Sequence, residues 1–159
     1  MPGSDPLIYT THSPQETRSL GEELSRLLRP GDVLVLRGEM GAGKSELTRG
    51  IARGLHIDGP IASPTFTILQ AYDSGRLPLY HFDWYRIIHP EELYEIGAEE
   101  YLSGSGVSVV EWPDRAPHML PESYLQISLA YGAGENERVI EITPMGGYTN
   151  ASLGKDIKA

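Results

Sequence analysis

Val33-Leu34-Val35-Leu36-Arg37-Gly38-Glu39-Met40-Gly41-Ala42-Gly43-Lys44-Ser45 is the stretch from which the fold can be read. Its four leading apolar residues are unbroken, the pattern of a short strand covered on both faces. Gly38 to Ser45 matches G-x-x-x-x-G-K-[ST] at every fixed position. Beyond Lys44, Leu47, Ile51 and Leu55 recur at helical spacing, so the loop joins a buried strand to an amphipathic helix. Such a loop wraps a β-phosphate in successive backbone N–H groups, and its glycines permit the close approach. The helix that follows presents its positive N-terminal end to the same anion. Lys44 is then placed to reach the β- and γ-phosphates, and the Ser45 hydroxyl to coordinate Mg²⁺. The bland alternative is a glycine-rich turn with an incidental lysine. The strand–loop–helix context argues against it.

Working outward, Ile8 to Thr11 reads as a first strand. Ser13-Pro14-Gln15-Glu16 then opens a helix, with Ser13 as N-cap, Pro14 at the first helical position and Glu16 closing a capping box. Leu20, Leu24, Leu27 and Leu28 give that helix one apolar face, and Pro30-Gly31 ends it. Thr65 to Tyr72 and Leu77 to Asp83 read as a hairpin. Pro90 to Leu102 reads as a helix interrupted by Gly97, and Val107 to Glu111 as a second buried strand. Tyr124 to Tyr131 and Arg138 to Ile142 alternate with period two around a glycine-rich turn, a further hairpin. The expected fold is α/β: a three-layer P-loop NTPase-like domain whose mixed sheet is parallel in the centre and antiparallel in its edge hairpins. One domain is expected over 1–145, with a flexible tail over 146–159.

Net charge is −9. The arginines are spread along the chain, and Lys44 is the one lysine outside the final tail, which holds Lys155 and Lys158. This balance disfavours tight autonomous binding to nucleic acid, because a polyphosphate repels it. The chain has no cysteine, which excludes disulfides, thiol catalysis and cysteine-ligated metal sites. No apolar run approaches the ~20 residues that span a bilayer, and the first residues lack the features of a signal peptide. A cytoplasmic location and no membrane contact are expected.

A magnesium-nucleotide site needs acids near the loop, usually at the ends of neighbouring strands. Asp83 ends Leu79-Tyr80-His81-Phe82, and Glu111 ends Val107-Ser108-Val109-Val110. The shorter Asp83 suits the metal or its waters; the longer Glu111 suits the orientation or deprotonation of an attacking water. Either alone could be a solvated strand end. In Ser63-Pro64-Thr65-Phe66, Thr65 offers a hydroxyl that could sense a γ-phosphate. His12, His56, His81, His89 and His118 lack metal-ligand spacing and read as surface or hydrogen-bonded residues. Glu91, Glu92, Glu95, Glu99 and Glu100 read as a solvated helix face. Trp112 fits either the core or a lid on the site.

Four segments in this order resemble one family, the bacterial ATPase TsaE (also called YjeE) of tRNA threonylcarbamoyladenosine biosynthesis. They are Gly38 to Ser45, Ser63-Pro64-Thr65-Phe66, His81-Phe82-Asp83-Trp84-Tyr85-Arg86 and Val109-Val110-Glu111-Trp112-Pro113. The resemblance spans about Ser13 to Ile142. It implies a protein that binds ATP with Mg²⁺ and hydrolyses it slowly. It also implies action with the partners TsaD and TsaB, which modify the adenosine following the anticodon in tRNAs reading ANN codons. Contact with tRNA is then indirect, through that complex. By the same resemblance Lys44, Asp83, Glu111 and Thr65 serve catalysis, and Ser45, Asp83 and Glu111 serve the metal. The nucleotide is contacted by Gly38, Glu39, Met40, Gly41, Ala42, Gly43, Lys44, Ser45, Glu46 and Trp112, and by Ser13, Pro14 and Arg138 from the first helix and the late hairpin.

Three departures matter. Glu39-Met40 stands where the family commonly has Asp-Leu. Glu46 replaces a threonine, bringing a carboxylate near the α-phosphate while keeping its backbone N–H, so modest affinity is expected. Trp84 replaces a leucine and adds aromatic surface that could belong to a partner interface. Other classes fit less well. A small-molecule or protein kinase needs an arginine-rich lid, and none is visible. A GTPase needs the Asn-Lys-x-Asp guanine motif, which is absent. A nucleotide-binding interaction module without useful hydrolysis stays open.

Overall fold

The computed structural model describes residues 5–62, 64, 67–150 and 152–153. One seven-stranded sheet runs through it in the order β1-β7-β6-β2-β5-β4-β3. The strands are β1 (Leu7–Thr11), β2 (Val33–Arg37), β3 (Leu69–Tyr72), β4 (Leu79–Asp83), β5 (Val107–Glu111), β6 (Tyr124–Tyr131) and β7 (Arg138–Met145). β6, β2, β5 and β4 are mutually parallel and occupy the centre. β3 pairs antiparallel with β4, β7 with β6, and β1 with β7. The mixed sheet with a parallel centre and antiparallel margins is as the sequence leads one to expect.

β2 illustrates why its sequence reads as an unbroken apolar run. Leu34 and Leu36 enter the core beneath α1 (Pro14–Ser25) and α2 (Lys44–Gly54), where Leu20, Leu24, Leu47 and Ile51 meet them. Val33 and Val35 point the other way, into a second core with Phe82, Trp84, Leu93 and Leu102. That face carries α3 (Glu91–Glu95) and α4 (Ala98–Leu102), separated at Gly97 as the interrupted pattern anticipates. Burial of each such side chain contributes about 1.5–3 kcal/mol relative to exposure. The acids of this helical pair, Glu91, Glu95, Glu99 and Glu100, are solvent-exposed.

α1 starts at its expected cap. The Ser13 hydroxyl accepts a hydrogen bond from the Glu16 N–H at 3.1 Å. The return bond differs from a standard capping box: the Glu16 carboxylate accepts from the His12 N–H, at 2.9 Å, rather than from Ser13. That amide, with the His12 ring, holds the Glu16 carboxyl below the usual carboxylate range.

Several boundaries depart from the sequence reading: α1 ends at Ser25, leaving Leu27 and Leu28 beyond it, and β4 starts at Leu79 rather than Leu77. β3 begins only at Leu69, because the N–H groups of Thr67 and Ile68 turn back to the Pro64 carbonyl and Ile68 has φ +70°. β7 continues past Ile142 to Met145, carrying Pro144. β1 stops pairing at Ile142, so the missing proline N–H faces no neighbouring strand. The expected tail does not begin at Gly146. Tyr148 is buried in the core and donates to the Asp32 carboxylate at 3.1 Å, and burial pushes its phenol up. Asn150 Nδ2 donates to the Leu27 carbonyl at 2.9 Å. A lone tyrosine among glycine, asparagine and serine carries no periodicity, so this packing leaves no trace in the pattern.

α1 and α2 pack closely because glycines meet across them. A Cβ on Gly50 would lie 2.0 Å from the Arg18 carbonyl oxygen. Gly50→Ala sets about 1 kcal/mol of better helix propensity against overpacking of about 1–3 kcal/mol, or more where backbone is struck. Backbone is struck here, so urea denaturation is expected to show a net loss of stability; an unchanged midpoint would refute the close-approach argument.

Candidate phosphate-binding site

Parallel strands place their C-terminal ends on one edge of the sheet. That edge carries Arg37 followed by the glycine loop, Asp83 at the end of β4 and Glu111 at the end of β5, with Asp83 and Glu111 in register. α2 begins there from Gly43, which has φ +107°, a left-handed conformation that strains any residue with a Cβ. Glycine has no side chain to return, so no side-chain cap bond forms at this helix start. α1, by contrast, closes its own N-terminus with Ser13. The first-turn amides of α2 therefore have no capping side chain, a start of the kind that suits an anion.

The loop is held from behind by the β6–β7 hairpin. Tyr131 donates its hydroxyl proton to the Met40 carbonyl at 2.8 Å, and Arg138 Nη2 reaches the Gly41 carbonyl at 3.4 Å. The Arg138 guanidinium stacks on the Tyr131 ring, 4.5 Å from its centroid.

Met40, Gly41, Gly43, Lys44, Ser45, Glu46, Asp83, Glu111 and Trp112 line a cleft of about 380 Å³. Lys44 crosses its floor, only 8% exposed. Its amine donates to the Gly38 carbonyl at 2.8 Å, lies 4.0 Å from Glu111 Oε1, and sits 4.4 Å from the centre of the Trp112 ring. Glu111 Oε2 lies 2.7 Å from His81 Nε2, and both residues are buried. Asp83 Oδ1 accepts from the Tyr85 N–H at 2.9 Å. Trp112 has φ +58° and packs its ring against that of Tyr85, centroids 4.9 Å apart. The tryptophan is thus part of the cleft wall.

Other candidate residues stand apart from this lining. Ser13 and Pro14 are engaged in starting α1, and Arg138 touches the loop from its far side. Ala42 is fully buried in the core. Thr65 and Ser63 lie outside the described residues. Trp84 does not present its ring to a partner: it is fully buried, 6.1 Å from Phe82 in edge-to-face contact. The outward aromatic is its neighbour Tyr85, at 42% exposure. Glu46 lines the cleft, and its carboxylate is held by Arg18 and by Arg49, so its charge is offset. His81 is the residue whose importance the sequence pattern did not reveal. Period-two alternation along β4 puts His81 on the same side as Asp83, and that signal was available.

Among the described residues, no group of three or more histidine or acidic side chains could hold a metal by itself. A serine hydroxyl and nearby carboxylates are hard oxygen donors of the kind Mg²⁺ takes together with phosphate oxygens. No helix among these residues is long and apolar enough to cross a membrane.

Comparison with known proteins places the chain in a family. The family described as "Threonylcarbamoyl adenosine biosynthesis protein TsaE" matches residues 11–140. The tRNA threonylcarbamoyladenosine biosynthesis protein TsaE of Bacillus subtilis is 43% identical over 140 residues, covering 88% of this chain and 87% of that protein. The proteins of that name from Nostoc and Treponema pallidum are 42% and 44% identical, over 82% and 81% of this chain and 81% and 95% of theirs. The crystal structure of Bacillus subtilis YdiB superposes with a TM-score of 0.77 at 39% identity, covering 89% of this chain and 87% of that one. With a family match over residues 11–140 and relatives 42–44% identical over more than four fifths of its length, the chain belongs to the TsaE family.

Proposed function

We propose that this chain is a magnesium-dependent ATPase acting in tRNA threonylcarbamoyladenosine biosynthesis, slow alone and stimulated by the partner proteins TsaD and TsaB. The observation that carries the reading is the uncapped start of α2, which shares one cleft with a buried lysine and two strand-end acids. Family membership supplies the pathway.

In this reading the loop amides and the N-terminus of α2 cradle the β-phosphate. The Lys44 amine leaves the Gly38 carbonyl for the β- and γ-phosphates. The hydrogen bond it gives up goes to a neutral dipole, and the Glu111 carboxylate lies 4.0 Å away, so a polyanion can compete for it. The Ser45 hydroxyl and Asp83 would hold Mg²⁺, which when bound would supply positive charge beside the phosphate oxygens. Glu111 keeps Oε1 towards the cleft, where it can orient a water and take its proton. Trp112 keeps that side of the cleft apolar. A cytoplasmic location goes with this role. The net charge of −9 favours docking on a protein complex and leaving tRNA contact to the partners.

Removing the amine should remove the ligand. Lys44→Ala is expected to weaken Mg-ATP binding by at least about 100-fold in titration calorimetry, near 2.7 kcal/mol. Equal heats from both proteins would rule the site out. Glu111→Gln keeps the side-chain shape and an acceptor for His81, so Mg-ATP affinity should hold within about threefold. Its turnover, measured with the partner pair present, should fall at least ~100-fold, the range for loss of a general base. Wild-type turnover in that variant would leave only a nucleotide-binding module.

A further inference from the structure

His81 is the most enclosed titratable group at the sheet's catalytic edge, 3% exposed. Its Nε2 lies 2.7 Å from Glu111 Oε2, a hydrogen-bonding distance. Its other nitrogen, Nδ1, is buried and has no hydrogen-bond partner among the described residues. A neutral imidazole carries one N–H and one bare nitrogen, and the two placements of that proton differ here. With the proton on Nδ1, a buried donor would go unmet, and the Nε2 lone pair would face a carboxylate oxygen. With the proton on Nε2, the ring donates to Glu111, and only a bare Nδ1 is left in the apolar interior.

We propose that His81 is a positioning residue for hydrolysis: as the Nε2–H tautomer it pins Glu111 Oε2 and leaves Oε1 towards the cleft and Lys44. Glutamate has three rotatable side-chain bonds, and a base that wanders by an ångström loses its alignment with the attacking water. The ring can do this because β4 and β5 are adjacent parallel strands, and it reaches Glu111 from the buried side without entering the cleft. The inference rests on the ATPase reading given above, and it adds a residue acting through Glu111 rather than on the nucleotide.

The test has two arms. Nitrogen-15 NMR of the imidazole in the nucleotide-free protein, assigned with His81→Gln, is expected to show a protonated Nε2, a bare Nδ1, and a shift of the Nε2 signal in Glu111→Gln. A proton on Nδ1 overturns the proposal, whatever the protein does with ATP. In the kinetic arm His81→Leu should lower kcat about 10–100-fold, the usual cost of losing a supporting partner, while Mg-ATP affinity stays within about threefold. Retained affinity also shows that the variant folds. His81→Gln puts an amide N–H near the position of Nε2 and should recover most of the rate. Wild-type turnover in His81→Leu, or equal loss in both variants, sinks the positioning role and leaves the nucleotide site standing. Failure of the wild-type chain to bind or hydrolyse ATP removes the underlying reading instead, and the NMR arm still decides the tautomer.

Discussion

A helix that begins on a glycine cannot close its own N-terminus, and the site is organised around that fact. α2 starts at Gly43 in a left-handed conformation with no side-chain cap, whereas α1 starts at Ser13 and is capped. An unclosed helix start of this kind is tolerable only where water or a ligand can reach it. The sheet supplies that access by ending β2 at the same edge as β4 and β5. Parallel pairing then brings two strand-end acids, Asp83 and Glu111, beside the loop without any long-range search by flexible side chains.

The remaining structure braces this edge. The hairpin formed by β6 and β7 holds the Met40 and Gly41 carbonyls of the loop through Tyr131 and Arg138. α1 braces α2 through a glycine contact so close that no Cβ fits at Gly50. Arg18 and Arg49 hold the Glu46 carboxylate in the first turn of α2, which softens one electrostatic feature there that opposes an anion. Charge near the cleft is therefore managed locally, within a strongly acidic chain.

The amino-acid sequence by itself determined the strand–loop–helix at residues 33–55, the parallel centre, the antiparallel margins and the two acids. Each of these is written in local spacing: an unbroken apolar run, a period of 3.6 or 2, a glycine where the backbone needs one. Tertiary structure alone decided the His81 contact with Glu111, the stacking of Lys44 on Trp112, the burial of Trp84 and the packing of Tyr148 beyond the last strand. Those contacts join residues distant in sequence, and a lone side chain has no period to announce it. What it touches depends on which strand lies alongside and which face it turns inward.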